Sequence, residues 1–324
     1  MSVRRRALGS TGLEVSEVGY GAWGIGGTRW LGAEDGESLR ALERAIALGI
    51  TFFDTALAYG QGRSERLVGR AVRAARDDLV VATKVPPKNG RWPAPSGIHP
   101  DEAFPEAWIV ECTERSLRNL ELEAIDVQQF HVWSDDWAGR GEWLGAIERL
   151  KREGKIRCFG VSINDHDPAS ALELVASGVI DTVQVIYNVF DQSPEDELFA
   201  AVEAAGVGVI VRVPFDEGSL TGAVTAETTF PDGDFRNDYF RGDRKEEAWR
   251  RAQAIAAAAD VSTGELADLA LRFCLSQPAV STVIPGMRSV RNVERNVAAA
   301  GRGPLDGELL EQLRAHRWER NFYA

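Results

Sequence analysis

Residues Ile50 to Gly60 read I-T-F-F-D-T-A-L-A-Y-G, and the point where this stretch turns from apolar to polar sets the frame for the rest of the chain. Ile50, Thr51, Phe52 and Phe53 are β-branched or aromatic and read as a short buried strand that ends at Asp54. A carboxylate there is costly to desolvate without a partner. Across a short loop stands Tyr59, and Gly60-Gln61-Gly62 then reverses the backbone before a helix begins near Ser64. One strand end therefore offers both an acid and a phenol.

The same alternation extends in both directions. Upstream, short extended runs around Gly9 and Gly12 read as a small hairpin leading into a first strand. Gly19 to Gly24 matches G-x-G-x-x-G, but the glycines that follow it replace the helix a dinucleotide turn requires, so the segment reads as a flexible loop over a strand end. Glu34 to Leu48 is a helix stopped by Gly49. Strands are expected near residues 18, 51, 81, 127, 158, 184, 210 and 282, each followed by a helix. With no two strands joined by a hairpin, the sheet should be parallel. The expected fold is α/β, a (β/α)8 TIM barrel with an N-terminal β-hairpin; an open, doubly wound sheet is the alternative.

Two helical pieces, Asp243 to Ala259 and Leu305 to Trp318, fall outside the repeat and are expected as extra rim helices. The Pro- and Gly-rich connection from Pro86 to Pro105 is large enough for a lid. No linker or low-complexity run divides residues 1–324, which are expected to form a single domain.

Composition narrows the function. The 37 Lys and Arg face 49 Asp and Glu, a net charge of −12, which argues against nucleic acid or an anionic membrane as partner. Cys112, Cys158 and Cys274 lie in apolar or helical patterns and read as buried free thiols, pointing to a reducing, cytoplasmic setting. No signal peptide is evident, and no run approaches the ~18 apolar residues that span a bilayer. His99, His131, His166 and His316 are scattered without metal-ligand spacing, so no metal is expected.

Barrel enzymes place their chemistry at the C-terminal strand ends. There the expected strands carry Asp54, Lys84, His131, Ser162 with Asn164, Gln184 and Arg212. A buried Lys84 needs a carboxylate, and Asp54 is the obvious one. Its ammonium beside the Tyr59 hydroxyl is expected to lower the phenol's pKa and make it a proton donor near neutral pH, with His131 offering a second hydrogen bond to a developing oxyanion. Such a phenol cannot supply a hydride, so a cofactor must.

Here the chain resembles the aldo-keto reductases, NADPH-dependent (β/α)8 enzymes. The resemblance rests on L-G-x-T-G-L-x-V at Leu8 to Val15, F-F-D-T-A-x-x-Y-G at Phe52 to Gly60, G-x-S-E at Gly62 to Glu65, and Thr83-Lys84. It continues through G-V-S at Gly160 to Ser162, V-P-F-x-E-G-S-L-T-G at Val213 to Gly222, and I-P-G at Ile284 to Gly286.

It implies reduction of a small-molecule aldehyde or ketone, with Asp54, Tyr59, Lys84 and His131 as the catalytic group. Ser162, Asn164 and Gln184 are the implied grip on the nicotinamide carboxamide, although Ile163 stands where the family usually has the asparagine. Arg212 replaces a tyrosine that often stacks on the ring. Gly21 and Trp23 are implied neighbours of the cofactor, and Pro214, Glu217, Ser219, Leu220 and Gly222 belong to the implied strap across the pyrophosphate. Gly286 and Met287 occupy the places where many relatives have Lys-Ser, and Asn292 stands in place of an arginine. Arg288 and Arg291, with Ser289 and Asn296, are the candidates to hold a 2′-phosphate, which favours NADP(H) while leaving NAD(H) open. Trp23, Trp92 and Trp133, with His99, are candidates for lining the substrate mouth. Two other readings remain: a Schiff-base lyase using Lys84, and a cofactor-sensing binding subunit.

Overall fold

The computed structural model describes residues 3–75 and 78–323. An antiparallel hairpin, β1 (Arg5–Ala7) and β2 (Glu14–Ser16), leads to β3 (Tyr20–Gly21), α1 (Asp35–Ala47), β4 (Phe52–Asp54), α2 (Arg63–Arg73) and β5 (Val80–Val85). Next come α3 (Pro100–Ala103), α4 (Glu106–Leu120), β6 (Ile125–Phe130), α5 (Trp143–Arg152), β7 (Ile156–Ser162), α6 (Leu172–Ser177) and β8 (Thr182–Ile186). The remainder is α7 (Leu198–Ala205), β9 (Gly208–Arg212), α8 (Phe235–Tyr239), α9 (Arg244–Ala258), α10 (Leu266–Leu275), β10 (Val280–Val283), α11 (Val290–Gly301) and α12 (Gly307–Arg314).

Strands β3 to β10 pair in chain order and every pair is parallel. Parallel bridges Val18 to Val283 and Gly21 to Gly286 join the two ends of the sheet. The eight strands thus close into a (β/α)8 barrel. A doubly wound sheet would reverse its strand order part-way, and here no reversal occurs. The first strand is shorter than the sequence suggested, only Tyr20–Gly21 beyond the bridge at Val18. The expected helix from Leu305 to Trp318 is helical over α12 alone, while Asp243 and Ala259 flank α9 as expected.

Side chains alternate between the two faces of each strand. Val80 and Ala82 on β5 and Val127 on β6 turn inward, where they pack with Phe52 and with Leu8, Leu13 and Val15 of the hairpin. The hairpin therefore plugs the base of the barrel. One step higher on the same faces, Lys84 and Gln129 stand opposite each other in register. The outward faces meet the helices in a much larger apolar core. At Gly69 the backbones of α2 and α4 meet: a Cβ there would lie 2.2 Å from the Leu120 carbonyl oxygen. Among the described residues no helix is long and apolar enough to cross a membrane, and the three cysteines are free and buried.

An aromatic cluster fixes the connection after β5 to the top of β6. Phe130 stacks on Phe104 with ring centroids 4.0 Å apart and meets Phe159 and Trp143 edge-on at 4.9 and 5.8 Å. Each ring in this cluster is fully buried, and Phe130 directly precedes His131. Truncating a buried phenylalanine removes its burial and leaves a cavity. Phe130→Ala should lower unfolding free energy in urea by about 3–5 kcal/mol, whereas Trp92→Ala, at a residue 48% exposed, should change it by less than about 1 kcal/mol.

Candidate active site

The inward faces of four strands deliver the polar layer at the barrel's upper end. Asp54 closes β4, Lys84 is the second-last residue of β5, Gln129 lies in β6 and Gln184 in β8. Lys84 Nζ donates to Asp54 Oδ1 at 2.6 Å and to the Thr55 carbonyl at 2.8 Å, and it lies 3.4 Å from the Tyr59 hydroxyl. The other Asp54 oxygen accepts from Gln184 Nε2 at 2.8 Å and Gln129 Nε2 at 3.3 Å. Turning either amide over would set an oxygen against the carboxylate, so the charge on Asp54 fixes their orientation. Burial pulls the Lys84 pKa down, yet the Asp54 charge and the Tyr59 oxygen together raise it above the usual value.

Tyr59 stands on the turn after β4, half-buried on the wall of the cavity. The expected lowering of its pKa is corrected by this geometry. Enclosure by protein raises it, and the pull of the Lys84 charge is partly cancelled by the push of Asp54. Lys84 spends its closest contact on Asp54. The resting phenol therefore keeps its proton. The His131 ring meets Tyr59 edge-on at 5.5 Å and Trp92 at 4.4 Å. Burial, with the Lys84 and Arg212 charges, holds its pKa well below the usual histidine value, so the ring is neutral.

A cavity of about 1090 Å³ runs from these residues to the N-terminal half of α11. Gly21, Trp23, Trp92, Ser162, Arg212, Pro214 and Glu217 line it, and so do Gly286, Arg288, Asn292 and Asn296. Gly21 permits a close approach, since a Cβ would fall 2.5 Å from the Ile284 carbonyl. Trp23 packs edge-on against Trp30 and Phe235. Arg212 Nη2 donates to the Ile163 carbonyl at 3.0 Å and to Asp165 at 2.8 Å, and its buried Nε has no partner among the described residues.

Several expected ligands are placed differently. Buried Ile163 follows Ser162 and shifts Asn164 along the chain, where its amide makes paired bonds with the backbone of Ala94 at 3.0 and 3.1 Å. Asn164 thus lines the cavity while its amide clips the connection after β5. Gln184 lines the cavity but its amide nitrogen is turned onto Asp54. In the strap, Ser219 and Leu220 are buried behind the cavity wall, with Ser219 Oγ donating to the Asp216 carbonyl at 2.6 Å. Gly222 also lies off the wall; a Cβ there would come within 2.0 Å of the Thr263 carbonyl, so its role is close packing.

Trp133 is fully buried between Trp137 and Trp143 and cannot line a substrate mouth. His99 is exposed, off the cavity, and caps α3 by accepting from the Asp101 amide.

Gln129 and Tyr323 belong to the site and were not anticipated. Gln129 had a signal, an amide among inward-facing apolar positions of β6. Tyr323 had none, because it reaches the cavity only through the folded path of the chain.

A closed parallel barrel thus holds a buried lysine-carboxylate pair beside a half-buried tyrosine at the head of a long cavity, and sequence comparison identifies the family. The chain belongs to the aldo/keto reductase family, whose model matches residues 17–317. It is 32% identical to the uncharacterised oxidoreductase YqkF of Bacillus subtilis (strain 168) over 97% of this chain and 96% of that one. To the aldo-keto reductase YhdN of the same organism it is also 32% identical, over 89% and 86%. Among solved structures, the holo form of aldo-keto reductase AKR11C1 from Bacillus halodurans superimposes with a TM-score of 0.75 at 29% identity, covering 97% of this chain and 96% of that one. The protein is an NAD(P)H-dependent oxidoreductase.

The charge states bear on the lyase reading. A Schiff-base lysine needs a neutral amine, whereas Lys84 is held protonated by Asp54. The raised Tyr59 and depressed His131 pKa values also set a pH profile. A reduction in which Tyr59 gave the proton would require the phenol protonated, a condition lost only as pH rises through its raised pKa. With saturating cofactor, kcat/KM for reduction should vary less than about threefold between roughly pH 6.5 and 9, read from nicotinamide absorbance.

Proposed function

We propose that this protein reduces an aldehyde or ketone to the alcohol with NADPH, the carbonyl oxygen lying between Tyr59 and His131. The observation that carries the reading is Lys84 Nζ, 2.6 Å from Asp54 and 3.4 Å from the Tyr59 hydroxyl, at the head of the cavity. When bound, the reduced nicotinamide supplies a hydride to the carbonyl carbon.

Tyr59 hydrogen-bonds the carbonyl oxygen and transfers its proton to it as negative charge develops. The phenolate left behind would be prohibitive in so enclosed a place without a cation. Lys84 provides one within hydrogen-bonding range, and Asp54 keeps Lys84 oriented and charged. His131, neutral, acts as a hydrogen-bond donor and not as an acid. Trp23, Trp92 and Phe235 give the mouth an apolar, aromatic wall suited to a substrate with an apolar body.

The cavity's far end fits an adenosine phosphate. Asn296 is 4% exposed and its Nδ2 has no partner among the described residues, so a buried donor stands ready at the wall. Burial and the neighbouring Arg236 charge push the Arg288 pKa down, and Asp234 only partly offsets them. Arg291 lines the same end with no ion-pair or hydrogen-bond partner among the described residues. A 2′-phosphate would satisfy these groups, which supports NADPH over NADH. Ser162, and Gln184 through its amide oxygen with Nε2 kept on Asp54, are the side chains suited to the carboxamide.

Two experiments test this. Tyr59→Phe should lower kcat for carbonyl reduction by roughly 10²–10⁴-fold while leaving the NADPH Kd, followed by tryptophan quenching, within about twofold; unchanged turnover would remove Tyr59 from its role. Arg291→Ala should weaken NADPH by about 10–100-fold and NADH by less than about threefold.

A further inference from the structure

The strap between β9 and α8 is backbone that an ordinary chain avoids. Val213, Asp216 and Glu217 have φ of +55, +48 and +53°, left-handed values that are unusual for non-glycine residues and most of all for a β-branched one. Such backbone persists only where its surroundings hold it.

The segment 318–323 supplies much of that hold. Arg320 pairs with Asp216, both nearly fully buried, and its guanidinium lies over the rings of Phe190, Trp318 and Phe322 at 5.3, 4.4 and 5.0 Å. Tyr239 of α8 donates to Asp216 at 3.0 Å. One residue further along the strap, the Tyr323 hydroxyl donates to Glu217 Oε1 at 2.6 Å. Its ring packs on Tyr239 at 5.0 Å and His166 at 5.7 Å. Glu217, 7% exposed, and Tyr323 both line the cavity.

We propose that the Tyr323 to Glu217 hydrogen bond is a clasp holding the strained strap against the cavity, making Tyr323 a positioning residue that governs how fast NADP(H) departs. This rests on the cofactor reading above. Strap and segment touch at both Asp216 and Glu217, so loosening one loosens the other, and an occupant of the cavity is released when they part.

The clasp also carries a proton. Tyr323 faces Glu217 from the segment, Arg212 from β9, Asp165 from the loop after β7, and Asp216 from the strap itself, with Asp216 compensated by Arg320 and Tyr239. Burial pushes the Glu217 carboxyl up to about 7; the Tyr323 hydrogen bond and Arg212 pull against it, and Asp216 and Asp165 add to it. Above that pH the empty cavity holds a carboxylate. An anionic dinucleotide makes that charge more costly, so binding draws a proton onto Glu217. Without the Tyr323 hydroxyl, which favours the carboxylate, the proton is held to still higher pH.

The test uses NADPH and the full chain. Dissociation is followed by stopped-flow fluorescence, and proton uptake at about pH 8 by calorimetry in two buffers of different ionisation enthalpy. Tyr323→Phe should release NADPH about tenfold faster. Wild-type protein should take up a fraction of a proton on binding, and Glu217→Gln, which can still accept from Tyr323, should bind with none. A Tyr323→Phe release rate within twofold of wild type, or undiminished uptake by Glu217→Gln, overturns the clasp alone. Failure of the wild-type protein to bind NADPH or NADH overturns the clasp and the cofactor reading together.

Discussion

Lys84 and Asp54 lie inside the barrel with almost no access to water, and the upper rim is arranged so that neither charge stands alone. An isolated ammonium there would give up its proton. The carboxylate at 2.6 Å prevents this, and two glutamines complete the carboxylate's second oxygen. Each of these side chains comes from a different strand. Removing one partner of such a pair generally costs about 3–5 kcal/mol, so the site and the upper barrel stand or fall together.

That arrangement changes how the neighbouring phenol is best understood. A cation already committed to a carboxylate does not strip a proton from Tyr59 in the resting protein. On the proposed mechanism it limits the cost of the charge that remains after the proton has gone. The distinction is between lowering a ground-state pKa and stabilising a product of proton transfer, and the distances and burial argue against the first.

The barrel could be read from the chain because each strand is a run of apolar residues stopped by a polar one, a one-dimensional signal that survives without coordinates. The same signal brought Asp54, Lys84 and His131 to one rim. The sign of the Tyr59 shift was not legible, since it is set first by how far the folded protein encloses the phenol and only then by the opposing charges of Lys84 and Asp54. Asn164 reaches the cavity wall, but one inserted residue, Ile163, brings its amide onto the Ala94 backbone, a pairing with no local signal in the sequence. Trp133 failed for a related reason: its ring turns away from the cavity into an aromatic cluster. Tyr323 lies 106 residues from Glu217 in the chain, and no local pattern announces such a meeting.

The N-terminal hairpin has a consequence for traffic. With Leu8, Leu13 and Val15 packed on Phe52, Val80, Ala82 and Val127, the stave interior is filled by side chains and is no channel. Ligands can therefore come and go only at the upper rim, where the connections after the strands form the cavity wall, and those connections can vary without disturbing the cork beneath.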